Sequence, residues 1–403
     1  MKKRIFVSMH YMELGGAEIS LIGLLQALDY SRYDVDLFIH RHQGELMVFI
    51  PKEVNVLPEI PAYACIESPM TEALRRGQLG VAWGRLKARQ RALRYQAKDA
   101  TKTQAAIYQY IAQEVEPHLP SFDHLGIYDL AISFLQPHNY VLSKVKAKQK
   151  ACWIHTDYTK VEFDADAELP IWSAYDHIIS ISSEVSKAFL QVFPSLEGKI
   201  VEMENILSAD YVHKKANEFD VLEEMPTDGE RINILSVGRF SEAKNYDNVP
   251  DICRRIREKG IDAYWYIIGY GDDRLIRERI REARMEHYVS LLGKRTNPYP
   301  YIKACDIYAQ PSRYEGKAVT VREAQMLCKP VVVTDYTTAQ SQVRHGIDGV
   351  IVPMDNEGCA QAMVDLIKNP QLRMEMIDYL NHHDYGNISE IHKIDKLLIE
   401  CGN

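Results

Sequence analysis

The stretch Ile232-Asn-Ile-Leu-Ser-Val-Gly238-Arg239-Phe-Ser-Glu-Ala-Lys244-Asn245 starts as a short, mostly apolar run, turns at a glycine and then carries two cations. The run is too short for a helix and lacks strict alternation, so it predicts a strand covered on both faces, as in a parallel sheet. Open parallel sheets meet their ligands just beyond the carboxyl ends of the strands. Arg239 and Lys244 therefore fall where a ligand is expected. Arg offers paired planar donors and Lys a point charge, a combination suited to a diphosphate. The plain alternative is a surface loop with two solvated cations.

Working outward, the same pattern recurs. The second half offers strands at Tyr264–Ile268, Val289–Leu292, Asp306–Ala309 and Val331–Thr334. The first half offers them at Arg4–Met9, Val35–Ile39, Leu130–Phe134, Ala151–Ile154 and His177–Ile181. Helix-like segments follow each run, which predicts an α/β chain with two doubly wound, Rossmann-like domains facing a central cleft. The polar, acidic stretch 209–230, with Pro226 and Gly229, reads as a linker. The expected order is an N-terminal acceptor-side domain over 1–208, the linker, a C-terminal donor domain over 231–375, and a helical tail over 376–403 that packs back on the first domain.

Bulk properties narrow the classes. A length of 403 residues suits two to three domains, and 46% hydrophobic with 26% charged residues is an ordinary globular balance. A net charge of -8 argues against nucleic acid as the main partner. The seven cysteines are scattered without a CxxC pair and read as reduced thiols in a cytosolic protein. No run reaches the roughly 18 apolar residues of a membrane span. The Met-Lys-Lys-Arg start is followed by an apolar run that ends by Ser8, a first strand in place of a signal peptide.

The other post-strand loops add candidates. Gly269-Tyr-Gly271 and Leu14-Gly15-Gly16-Ala-Glu18 are, singly, no more than glycine turns after strands. The second leads into a helix whose N-terminus could approach phosphate. The full G-x-G-x-x-G fingerprint is missing, which disfavours a nicotinamide or flavin enzyme. The segment Gln310-Pro-Ser-Arg-Tyr-Glu315-Gly316-Lys-Ala-Val319-Thr320-Val-Arg-Glu323 is the most specific. It sets Glu315 at a loop tip and Glu323 in the first helical turn, where carboxylates suit vicinal sugar hydroxyls. The N–H groups of Val319 and Thr320 are expected to point at phosphate. Thr320-x-x-Glu323 also fits a capping box, a structural reading that leaves Glu315 unexplained.

Taken in order, Gly-Arg-x4-Lys, Gly-x-Gly, Pro-Ser-x2-Glu-Gly-x6-Glu-Ala and Lys-Pro-Val-Val resemble the family-4 retaining glycosyltransferases of the GT-B fold, among the group 1 glycosyltransferases. Gly15-Gly16-Ala-Glu18, His155-Thr-Asp157 and the segment Ser180–Glu184 fit that resemblance; residues 60–125 do not contribute to it. The resemblance implies that Arg239 and Lys244 bind the donor diphosphate and that Glu315 faces the transferred sugar. It implies that Glu323 binds the ribose, with Gly238, Gly269, Gly271, Gly316, Val319 and Thr320 lining the donor. Gly15 and Gly16 are implied to close over phosphate, and His155 to approach the sugar. The reaction implied moves a sugar from a UDP- or GDP-linked donor to a glycan or lipid-linked acceptor, in polysaccharide or glycolipid synthesis, with no cofactor and no catalytic metal. Lys317-Ala318 departs from the family's usual Phe-Gly and leaves the sugar open.

Two other enzyme-sized readings fit the architecture: a nucleotide-sugar epimerase, and a non-catalytic nucleotide-sugar-binding protein. The carboxylate segment disfavours the first, and the complete set of cations and carboxylates disfavours the second. Asp34-Val-Asp36, Asp164-Ala-Asp166 and His382-His383 read as structural or solvated, not as metal ligands. Residues 75–102 carry nine Lys or Arg, with Leu79, Trp83, Leu86 and Leu93 near one helical stripe. That segment is expected either to touch an anionic membrane or to pack its apolar stripe inward.

Overall fold

A computed structural model describes residues 2–13, 15–98, 106–227, 229 and 231–399. It divides into two compact units, Met1–Ile206 with Ile388–Asn403, and Leu207–Asn387. All ten strands read from the sequence form, at closely similar bounds, together with three more.

The first unit holds β1 (Lys3–Met9), β2 (Tyr33–Ile39), β3 (Asn55–Val56), β4 (Tyr128–Ser133), β5 (Ala147–Ile154), β6 (His177–Ser180) and β7 (Ile200–Glu202). Their spatial order is β3-β2-β1-β4-β5-β6-β7, all parallel. Side chains alternate across the sheet. Ile5, Val7 and Met9 join one buried cluster with Leu37, Ile39 and Ile132, whereas Phe6 joins another with Phe38, Tyr63 and Phe122. Both faces are thus covered, which is why the strands read as apolar runs.

The second unit holds β8 (Ile232–Val237), β9 (Ala263–Ile268), β10 (Val289–Gly293), β11 (Ile307–Gln310), β12 (Val331–Thr334) and β13 (Gly349–Val352). The order β10-β9-β8-β11-β12-β13 is again parallel, and counted within the unit it is the Rossmann order 3-2-1-4-5-6. The order reverses between β8 and β11 here, and between β1 and β4 in the first unit.

Two boundaries differ from the sequence reading. The stretch 209–230 is not all linker: Ala209–Ala216 is a helix capped by Ser208, whose hydroxyl accepts from the Tyr211 N–H, and it belongs to the second unit. The polar face that suggested a linker is the solvent side of that helix. Residues 376–403 are not one tail either. The helix Pro370–Asn381 stays with the second unit, and the chain joins the first unit only from Ile388. There the helix His392–Ile399 buries Ile394 and Leu397, and Asp395 accepts from Arg32 at 2.7 Å and from the Tyr33 hydroxyl.

Residues 79–98 form one long helix; of the basic stretch read to 102, the part beyond it and the Lys98 side chain lie outside the described residues. Its packed face is made of small residues. A Cβ on Gly84 would lie 2.6 Å from the Glu114 carbonyl oxygen, so only glycine lets the helix Ile107–Val115 approach this closely.

Candidate functional site

The site is built where β8 and β11 end side by side. β8 passes into Gly238, whose N–H donates to the Ile268 carbonyl of β9. A Cβ on Gly269 would lie 2.0 Å from the Gly238 carbonyl oxygen, so the two loops touch through bare backbone. Gly271 has φ +128°, in a region other residues rarely adopt, and a parallel bridge joins it to Phe240. These glycines fix the floor on which Arg239 and Lys244 are carried.

The two cations meet different surroundings. Arg239 is exposed, and its side chain has no hydrogen bond or ion pair among the described residues. Lys244 is largely covered, and its Nζ lies 2.5 Å from Glu315 Oε1. That oxygen also accepts from Ser312 Oγ at 2.6 Å and Gln310 Nε2 at 3.1 Å. Gln310 is fully buried and in turn accepts from the Tyr308 hydroxyl at 2.8 Å. The loop after β11 is tied to the loop after β8 by Arg313, which donates to Asp247 at 2.7 and 3.1 Å and whose N–H reaches the Ala243 carbonyl. Glu315 and Lys244, far apart in sequence, are thereby held as one pair.

The helix Val319–Met326 follows, with Ala318 at its N-cap. Alanine has no capping group, so the first N–H groups, those of Val319 and Thr320, gain no side-chain partner from it. The loop is instead gripped from outside. Gln342 Oε1 accepts from the Ala318 N–H at 3.0 Å while its Nε2 donates to the Ala318 carbonyl at 2.9 Å.

Glu323 corrects the sequence reading. It is the fifth helical residue, not in the first turn, and therefore takes no part in a capping box with Thr320. Its Oε1 accepts from the Tyr299 hydroxyl at 2.7 Å, and its Oε2 is buried without a partner among the described residues. Burial pushes its carboxyl up to about 7, against the opposing pull of the Tyr299 hydrogen bond. An unsatisfied buried carboxylate oxygen is uncommon enough to call for an explanation.

In the first unit, Gly15 caps the helix Gly16–Ala27 in extended conformation. A Cβ there would meet the Glu18 carboxylate at 2.2 Å, so an anion at this helix end must share it with Glu18. His155 leaves the end of β5, half-buried, with its Nε2 2.8 Å from the Phe134 carbonyl. That contact requires the proton on Nε2 and leaves Nδ1 as an acceptor. Burial lowers its pKa to about 4, only partly offset by that hydrogen bond, so the ring is neutral near pH 7.

One aspartate of each acidic pair is held by structural partners. Asp36 accepts from Tyr128 and Asn55, each at 2.6 Å, and Asp164 caps the helix Ala165–Ser173 while accepting from the Tyr110 hydroxyl. The residues that sequence reasoning missed are Gln310, Tyr299 and Gln342. Tyr299 and Gln342 act on partners brought to them by a different element, so nothing local marks them; Gln310 bonds Ser312 and Glu315 within its own segment, where no residue pattern sets its amide apart.

Two parallel sheets in Rossmann order, with cations and carboxylates gathered where the second reverses, define the GT-B class of fold. Solved structures agree: HepE of Anabaena, in complex with UDP and glucose, is 17% identical with TM-score 0.68 over 99% of both chains. WaaG, a glycosyltransferase involved in lipopolysaccharide biosynthesis, is 12% identical with TM-score 0.66 over 98% of this chain and 99% of its own. Residues 220–383 match the family model of the group 1 glycosyl transferases. Arg239, Lys244, Gly269, Gly271, Glu315 and Glu323 all fall within it; Gly15, Gly16 and His155 do not. Among curated relatives, an uncharacterized glycosyltransferase of Methanocaldococcus jannaschii is 27% identical over 42% of each chain. The amylovoran biosynthesis glycosyltransferase AmsD of Erwinia amylovora is 25% identical over 38% of this chain and 44% of its own. The N-acetylgalactosamine-N,N'-diacetylbacillosaminyl-diphospho-undecaprenol 4-alpha-N-acetylgalactosaminyltransferase of Campylobacter jejuni is 32% identical over 35% and 38%. In each of these three matches the chain spans less than half the length of the relative.

Proposed function

We propose that the protein is a retaining glycosyltransferase that moves a hexose-type sugar from a UDP- or GDP-linked donor to a glycan or lipid-linked acceptor. The work would be done on the cytosolic side, in the building of a surface polysaccharide or glycolipid. The observation that carries this reading is the exposed Arg239, without a partner among the described residues, on the same loop as Lys244 of the Lys244–Glu315 pair, at the carboxyl ends of β8 and β11. Structural neighbours described with UDP and glucose support the donor class, and relatives named for polysaccharide biosynthesis support the process.

Breaking the bond between sugar C1 and the diphosphate builds positive charge on the ring and negative charge on the leaving group. Arg239 and Lys244 stabilise that leaving charge, more strongly in the transition state than in the bound donor. With these cations at the diphosphate, the reading uses no catalytic metal and no further cofactor. The acceptor oxygen forms its bond to C1 on the face the diphosphate leaves, and its proton passes to a phosphate oxygen of the departing nucleotide. Glu315 accepts from hydroxyls of the sugar, Glu323 from those of the ribose, and the N–H groups of Val319 and Thr320 face phosphate. Gly238, Gly269, Gly271 and Gly316 let backbone approach the donor.

The test is to incubate the protein with UDP- and GDP-sugars, with and without polyprenyl-linked and oligosaccharide acceptors. Nucleoside diphosphate release and the anomeric configuration of the product are then read. An acceptor-dependent product that keeps the donor's configuration supports the reading. A changed nucleotide sugar without acceptor, or donor binding with neither transfer nor hydrolysis, overturns it.

A further inference from the structure

The helix Leu79–Lys98 has two faces of opposite kind. Its inner face is Gly80, Gly84, Ala88 and Ala92, a four-residue repeat of small side chains that seats it on the helix Ile107–Val115. The large apolar side chains point the other way, with Leu79 67%, Trp83 55%, Leu86 48% and Leu93 48% exposed. At about 100° per residue these four fall within an arc of roughly 80°. Lys87 and Arg94 border that arc on one side and Arg89 on the other, all exposed. Leu74, on the preceding helix Met70–Arg75, is exposed as well.

The cations of this segment divide into two groups. Arg76 pairs with Glu72 at 2.8 Å, Arg91 pairs with Glu114 at 3.3 Å, and Arg85 donates to the carbonyls of Cys65 and Ser68. Arg75, Lys87, Arg89 and Arg94 have no acidic partner among the described residues, and the Lys87 ammonium lies 5.5 Å from the Trp83 ring. So the cations that border the apolar arc are the unpaired ones.

We propose that this helix docks on the surface of an anionic bilayer. Leu79, Trp83, Leu86 and Leu93 enter the boundary between headgroups and acyl chains, while Lys87, Arg89 and Arg94 meet lipid phosphates. Charge complementarity selects this occupant. A second copy of the chain would cover the arc, but a two-fold contact sets the same patch of both copies against itself, and this helix carries unpaired cations and no Asp or Glu to meet them. The inference stands on the first unit alone and is independent of the glycosyltransferase reading.

The experiment is co-sedimentation of the full chain with vesicles of phosphatidylcholine, alone or mixed with phosphatidylglycerol, while tryptophan emission is recorded. Trp153, Trp172 and Trp265 are buried, so a blue shift on vesicle addition reports Trp83. Binding is expected to the mixed vesicles only, to weaken as salt is raised, and to shift the emission. Each cation near an anionic surface contributes about a five-fold factor, so reversing Lys87, Arg89 and Arg94 to Glu is expected to lower partitioning by about 100-fold or more. Trp83→Ala with Leu86→Ala is expected to weaken binding at every salt concentration. All these side chains are exposed; if either variant melts below wild type, Leu79→Ser with Leu93→Ser is read in its place. Equal binding to both vesicle types, wild-type binding by the charge-reversed variant, or a dimer that shields Trp83 in solution overturns the proposal.

Discussion

Arg239 and Glu323 belong to one candidate site yet are held in opposite ways, the first free in solvent and the second sealed in the interior. Arg239→Ala is therefore expected to leave the melting temperature unchanged and to lower turnover by about 10²–10³, the loss seen when a preorganised donor to developing charge is removed. Near-normal turnover would take Arg239 out of the site. Glu323 is expected to show itself through pH. Its carboxyl is raised to about 7, so folding binds a proton and the ligand-free protein loses stability as pH rises through about 7. A ribose diol donating to Oε2 requires the carboxylate, so donor binding releases that proton. Affinity for a nucleotide sugar, whose diester phosphates do not titrate there, should then rise about ten-fold between about pH 6 and about pH 8. Glu323→Gln should bind more weakly and lose that slope, as calorimetry at several pH values would show. The sequence singled out Arg239 because a cation just past an apolar strand is conspicuous, and Glu323 because it closes the two-carboxylate segment after β11. It could not reveal the Tyr299 bond or the orphan Oε2, which depend on a helix that begins 24 residues earlier.

The loop from Pro311 to Ala318 owes its shape to other elements more than to its own sequence. Gln342, on the segment between β12 and β13, holds both backbone groups of Ala318 and so sets where the next helix begins. Gln342→Ala is expected to cost about 1–3 kcal/mol of stability, from the Ala318 N–H left without its partner; the Ala318 carbonyl still accepts from the Val321 N–H. Steady-state kinetics should show a higher donor KM with a smaller change in kcat, and Gln342→Glu, which keeps only the acceptor, should restore part of the loss. A parallel fall in kcat alone would mean the clamp does not act on donor binding. Legibility followed strand length and place in the sheet together. Ten strands of four to eight residues stood out as apolar runs, among them the five-residue edge strand β10, while β3, β7 and β13 were missed. These three are sheet edges of two to four residues. An edge strand pairs on one side only, so fewer of its positions need to be apolar and the signal fades.

The whole chain repeats one topology twice, and that repetition was readable from the alternation of strands and helices. What it could not disclose was that the first unit is discontinuous. Its last helix returns after the second unit, burying Ile394 and Leu397 in the first unit's core and bonding Asp395 to Arg32 and Tyr33. Leu397→Ala is expected to destabilise the first unit by about 2–5 kcal/mol. Hydrogen exchange should quicken in β1, β2 and β4 and remain unchanged in β8 to β12; a uniform change would show that the two units unfold as one. The same connectivity sets an order during synthesis. The first unit is the earlier to leave the ribosome but lacks part of its core until residues beyond Asn387 emerge, whereas the second is a single uninterrupted segment. The half made later is thus the half that can finish folding sooner, and the nascent first unit must wait, with its Ile394 and Leu397 sites uncovered, until the second has been made.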